Sequence, residues 1–239
     1  MLGLVGLLTE NSAQSPVSLQ PAITKTDSTL GDGSFNLAYE PSDLVTLTHT
    51  GTGWRVDAKS DAKSFLTAAH LPGTYRLVQF HSHWGHGPTD GSEHLVDGKA
   101  VAAELHLVHR NLKYPSMEEC LKHKDGLAVL GIFIEERKED NKGWAHFNKD
   151  LAKLKKEGDV VPVSPGLDMD DLIPSCKDFW TYQGSLTTPP YSECVVWTVF
   201  KNPTTISTAQ LAPMRAICAR NVRDPQPLNG RELRSNFQD

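Results

Sequence analysis

Two histidines stand two residues apart in the phrase QFHSHWG, and a third lies in AAELHLVHR: His81, His83 and His106. On a β-strand, residues i and i+2 point to one face, so His81 and His83 can grip the same ion. A strand near 99–110 pairing antiparallel with the first sets His106 opposite them. Neutral imidazoles suit zinc, and three protein ligands leave the fourth tetrahedral position open, which is the layout of a catalytic rather than a structural site. Gln79 shares the face of His81 and His83, and Glu104 that of His106. A metal-bound imidazole donates its other N–H to an amide, carboxylate or carbonyl, which fixes its tautomer and aim. The opposite face carries Phe80, Ser82 and Trp84, then Ala103, Leu105 and Leu107, a mostly apolar surface made for packing. A bare His-x-His is more often a packed or surface pair than a metal grip. The third histidine and the two phased acceptors tip the balance to metal.

These side chains need strands to hold them. Short β-rich runs bounded by Gly, Pro, Asn and Asp fall at 44–49, 53–57, 74–84, 99–109, 127–134 and 193–200. The run at 74–84 has both faces occupied, so it belongs in the middle of a large sheet. Helical patterning is confined to 147–157, a piece near 116–123 and another near 207–217. No internal repeat or linker divides the chain, so residues 1–239 read as a single domain of the mainly β (α+β) class. Of the other histidines, His94 reads as structural and His109 as facing away from His106. His70, His86, His123 and His146 read as loop or surface residues.

The phrases QFHSHWG, GSEHLVDGK, AAELHLVH, GLAVLGIF and YQGSLTTPPYSECVVW resemble those of the α-class carbonic anhydrases. The similarity runs from QSPVSLQP at 14–21 to QPLNGRELRSNF at 226–237, nearly the whole chain. The resemblance implies a large, mostly antiparallel, twisted central sheet of about ten strands, with small peripheral helices and zinc at the base of a conical cleft. It implies reversible hydration of carbon dioxide to bicarbonate and a proton by zinc-bound hydroxide. It gives His81, His83 and His106 as zinc ligands, and Gln79, Glu104 and the backbone carbonyl of Asn221 as their outer partners. It gives Thr187 as the acceptor of the hydroxide's hydrogen bond and Glu93 as the carboxylate that takes the threonine's proton. A threonine that must donate to Glu93 can only accept from hydroxide, which aims a lone pair at the incoming carbon. Thr188 falls at the substrate and inhibitor position. Val108, Val129, Leu186, Val195 and Trp197 fall on the apolar wall for carbon dioxide, although plain core packing is the default for such residues. The expected partner is this small substrate, the expected assembly a monomer, and primary sulfonamides are expected inhibitors.

Two departures from the family stand out. Fast members carry a proton-relaying histidine in an N-[NT]-G-H phrase, where this chain has His49-Thr50-Gly51-Thr52. Threonine does not titrate near neutral pH and cannot relay a proton in that way. His49 is a possible substitute, weighed against an exposed loop histidine. Arg55 adds positive charge near the cleft mouth. Residues 1–13 form an atypical segment that lacks the Trp and Tyr residues the family usually places before QSP.

Composition narrows the class. A net charge of −5 without a dense basic cluster gives no nucleic-acid footprint, and no run approaches a membrane span. Leu2–Leu8 is apolar but short, with no Lys or Arg before it, and makes a poor signal peptide. Cys120, Cys176, Cys194 and Cys218 are widely spaced, and no Asn-x-Ser/Thr acceptor occurs, Asn202 being followed by proline. A cytoplasmic protein with free thiols is expected. The competing reading is a non-catalytic or slow carbonic-anhydrase-like binding protein. Such relatives lose zinc-ligand histidines, whereas all three stand here.

Overall fold

The two faces read from the sequence become two packed cores on either side of one sheet. The computed structural model describes residues 12–31, 33 and 35–238. Among them, a 12-stranded sheet has at its centre Leu44–His49, Trp54–Ala58, Tyr75–Trp84, Ala103–Asn111, Leu127–Arg137, Val195–Ser207 and Phe179–Gly184, side by side in that order. These neighbours run antiparallel, except that Leu127–Arg137 and Val195–Ser207 are parallel. The sheet is therefore mixed but mostly antiparallel, as expected, and wider than the ten strands anticipated.

One irregularity decides what the central strand presents. The register of Tyr75–Trp84 against Ala103–Asn111 shifts between Leu77 and Gln79. An extra residue in one strand reverses the side-chain alternation beyond it. Tyr75 and Leu77 thus share one core with Phe80 and Trp84, while Gln79, His81 and His83 turn to the other face. Ala103, Leu105 and Leu107 join the same core, as do Ala128, Leu130, Ile132 and Ile134. The other face carries Val108, Val129, Val195 and Trp197, packed with Cys120, Tyr182 and Cys194.

The long helix lies earlier than the sequence suggested, at Lys142–Leu151 rather than 147–157. The Asn141 side chain accepts from the Gly143 N–H and starts it. Trp144, Phe147 and Leu151 form its buried stripe. The helix ends at its C-cap Ala152, and of the lysine-rich residues beyond it Leu154 still packs into the core. The piece near 116–123 shrinks to Met117–Cys120. Thr208–Ile217 falls where expected, opened by a reciprocal cap between Ser207 and Gln210. Arg215 in its last turn donates to the Gly85 carbonyl and pairs with Glu136, pinning the helix across the strand ends. That anchor delivers Asn221 to the edge of the His83 strand, where its N–H meets the Trp84 carbonyl and its Oδ1 accepts the Trp84 N–H. The apolar run Leu2–Leu8 and most of the atypical first segment lie outside the described residues.

Candidate metal centre

His81 and His106 are directly opposed in the antiparallel pairing of their strands, and His83 lies one alternation further along. Their ring centres are 4.7–5.3 Å apart. One nitrogen from each ring falls within 4.8 Å of the other two. Each ring is also held from behind. His81 Nδ1 is 2.8 Å from Gln79 Oε1, His83 Nδ1 is 2.8 Å from the Asn221 carbonyl, and His106 Nε2 is 2.8 Å from Glu104 Oε1. All three partners are acceptors, so these nitrogens carry the protons. In neutral rings the lone pairs are then on His81 Nε2, His83 Nε2 and His106 Nδ1.

Electrostatics favours neutral rings. Burial pushes the pKa of all three histidines down, that of His81 well below its ordinary value with help from His83, His106 and Arg55. His83 Nε2 is buried and has no hydrogen-bond partner. A buried polar atom without a partner calls for an explanation, and a cation shared with the other two rings supplies one. The donor set, three imidazole nitrogens with no thiolate, fits zinc among the borderline transition metals. A second grouping, His94, Glu104 and His106, is also compact. Its atoms are already spent on one another at 2.6 and 2.8 Å, and it is a hydrogen-bond cluster.

Glu104 is fully buried and accepts four hydrogen bonds: two from His94 and His106, and two from the backbone N–H groups of Glu93 and His94. Burial alone would raise its pKa, but the two imidazoles outweigh it and hold the carboxyl well below the usual range. Room for this carboxylate comes from Gly131, which opposes His106 on the next strand. A Cβ there would stand 3.0 Å from Glu104 Oε1. Sequence reasoning missed Gly131, although a glycine inside an otherwise bulky strand signals a close approach. It also left out the partners of His94, whose Nε2 is 2.6 Å from the Tyr182 hydroxyl.

A cavity of about 570 Å³ opens over His81 and His83, lined also by Gln79, Glu93, Thr187 and Thr188. Glu93 Oε1 accepts the Arg223 N–H at 2.8 Å. Burial pushes the Glu93 carboxyl up to about 7, against the opposing pull of His106 and Thr187. Thr187 lies beside this carboxyl without an ordinary-length hydrogen bond to it. Val108, Val129, Val195 and Trp197 do not line the open cavity. They are almost wholly buried in the core behind it, with Leu186 at their edge. Trp197 connects that core to the histidines, its ring centre 4.9 Å from that of His106.

Thr50, Thr52, Arg55, Cys218 and Arg220 form the outer wall. The Thr52 carbonyl is held by Asn221 Nδ2 and Cys218 Sγ. Arg55 lies opposite His81 in register and forms a fork to Asp57. His49 departs from both alternatives considered for it. It closes the strand Leu44–His49, is buried, accepts the Gly51 N–H on Nδ1, and does not border the cavity. Gly51, with φ of +88°, turns the chain so that Thr52 and not His49 reaches the cavity. His70 lies in a turn, as expected, half-buried beside Phe35 and Phe179 with Nε2 2.7 Å from Thr198 Oγ1.

A mixed sheet that gathers three imidazoles beside a cavity gives a candidate metal centre, and comparison with known proteins gives the family. The family profile of eukaryotic-type carbonic anhydrases matches residues 7–237, and the chain belongs to that family. It is a carbonate dehydratase, a lyase. It is similar to carbonic anhydrase 3 of Homo sapiens, 42% identical over an alignment of 238 positions that covers 94% of this chain and 90% of the relative. Carbonic anhydrase 3 of Rattus norvegicus matches at 42% and that of Sus scrofa at 41%, each over 239 residues with the same coverage.

Proposed function

We propose that His81, His83 and His106 hold one zinc ion and that the chain hydrates carbon dioxide reversibly at that centre. The observation that carries this reading is the convergence of three lone pairs, each set by an acceptor behind its ring, on the unpartnered His83 Nε2. Zinc, when bound, supplies a Lewis acid that lowers the pKa of coordinated water to about 7, a figure already established for carbonic anhydrases in general and not deduced from this chain.

The protein's own groups do the rest. Gln79, the Asn221 carbonyl and Glu104 hold the three rings in the required tautomers. An ionised Glu93 can only accept, so it takes the Thr187 proton and leaves the Thr187 oxygen to accept in turn. Thr187 then orients the attacking oxygen by taking its proton in a hydrogen bond. Thr188 borders the same space. Val108, Val129, Leu186, Val195 and Trp197 form the apolar core behind the site, with Trp197 against His106; carbon dioxide, small and without a net dipole, would rest against the edge of that core, positioned without tight binding. Thr52 stands where a relay would be useful and has no proton to exchange near neutral pH, so proton export falls to the buffer. We further propose that the chain acts as a monomeric single domain in the cytoplasm and that primary sulfonamides inhibit it. Among the described residues no helix is long and apolar enough to cross a membrane.

Stopped-flow hydration of carbon dioxide, run with Thr187→Ala beside the parent, tests this function. Hydration by the parent that falls by about 100-fold in the variant is expected for loss of a transition-state hydrogen bond. Equal rates would remove Thr187 from the mechanism, and no parental activity would favour the non-catalytic reading.

A further inference from the structure

We propose that Ser15, remote from the histidines in sequence, is a positioning residue that ties His106, Glu93 and the Thr187 loop into one frame. The inference rests on the zinc reading above. Ser15 is 0% exposed, and its hydroxyl, N–H and carbonyl are all hydrogen-bonded to residues around the site.

Its hydroxyl begins a chain that ends on a metal-binding ring. The Ser185 N–H donates to Ser15 Oγ at 3.0 Å, and Ser15 Oγ is 2.9 Å from the Tyr182 hydroxyl. That hydroxyl is 2.6 Å from His94 Nε2, His94 Nδ1 is 2.6 Å from Glu104 Oε1, and the same oxygen takes His106 Nε2 at 2.8 Å. Glu104 only accepts, so His94 donates to it from Nδ1. Tyr182 donates to Ser15 Oγ, which also takes the Ser185 N–H, so the Ser15 hydroxyl anchors the far end of one hydrogen-bonded chain that reaches His106. Holding Glu104 in place supports the tautomer of His106 that leaves Nδ1 free.

The backbone of Ser15 makes the other two connections. Its carbonyl accepts from Arg223 Nη1 at 2.7 Å, and the Arg223 N–H donates to Glu93 Oε1 at 2.8 Å. Arg223 is further steadied by Gln14 Oε1 and by the Tyr191 ring, 3.9 Å away. The Ser15 N–H donates to Ser185 Oγ, which in turn donates to the Leu186 carbonyl, immediately before Thr187. Cutting the hydroxyl arm leaves the two backbone arms in place.

The test compares Ser15→Ala, Tyr182→Phe, the double variant and, as a control for general loosening, Leu211→Ala, which lies in the other core. Zinc release into excess chelator should speed up about 3–10-fold in Ser15→Ala, less than the 10–100-fold typical of losing a ligand's direct partner. Tyr182→Phe should release zinc at least as fast, and the double variant no faster than Tyr182→Phe, because both cut one chain. Nitrogen NMR of the metal-free protein should show His94 Nε2 losing its hydrogen bond in Tyr182→Phe and weakening it in Ser15→Ala. Parental release from Ser15→Ala, or equal acceleration by Leu211→Ala, would overturn the proposal. If Ser15→Ala does not fold, an unchanged His94 spectrum in Tyr182→Phe overturns it alone. A parent that binds no zinc would sink the zinc reading, and the metal-free spectra would still decide whether the chain exists.

Discussion

Gly131→Ala is the sharpest test of how closely the strands are fitted around Glu104. The new Cβ would sit 3.0 Å from Glu104 Oε1 and 3.4 Å from Val199 Cγ2. Relief requires the carboxylate to move by a few tenths of an ångström, and it is held by hydrogen bonds of 2.6 and 2.8 Å to His94 and His106. Overpacking of this kind costs about 1–3 kcal/mol. Replacing glycine recovers about 0.4–1 kcal/mol through the unfolded chain. The net expectation is a loss of roughly 1–2 kcal/mol in denaturant unfolding. Because the displaced group is the partner of a metal ligand, zinc affinity should fall by about tenfold, the low end for such partners. Unfolding and chelator-release measurements on the two proteins read both effects. An unchanged release rate with unchanged stability would refute the claim that Gly131 is reserved for Glu104.

Three further outcomes follow from the same structure. Thr52→His should raise kcat by about tenfold or more with little change in kcat/KM, and added imidazole should help the parent more than the variant; a parent insensitive to imidazole would mean that protons already leave by another group. His70 and His109 are both pushed down to about 4 by burial. The unfolded chain therefore binds protons first as pH falls, and stability present above pH 6.5 should drain away between 6.5 and 4. The loss approaches about 3 kcal/mol per group at pH 4, and a flat unfolding midpoint across that window would contradict it. A primary aromatic sulfonamide should inhibit the parent and bind Thr187→Ala about tenfold more weakly for loss of a charge-assisted hydrogen bond; equal binding to metal-free parent would place it elsewhere.

Period-two alternation made much of the site readable in advance. His81, His83, Gln79, His106 and Glu104 needed only strand phasing to be set on one face, and their strands do pair. The bulge at Leu77–Gln79 was not readable, because no glycine, proline or turn residue marks it in RLVQF. His49 was misplaced because a single histidine carries no period, and only the Gly51 turn fixes it. His94 depends on Tyr182, 88 residues away, and no local pattern announces such a partner. The misplaced start of Lys142–Leu151 had a local signal in the Asn141 cap, outweighed by the charged tail that followed.

The most direct measurement is zinc content per chain, by metal analysis after exhaustive dialysis, for the parent and for His106→Ala. One zinc per chain in the parent and loss of most of it in the variant, with hydration activity lost in parallel, is the predicted result. Full zinc occupancy in His106→Ala, or a parent that hydrates carbon dioxide equally well after complete removal of zinc, would contradict a metal centre built on His81, His83 and His106.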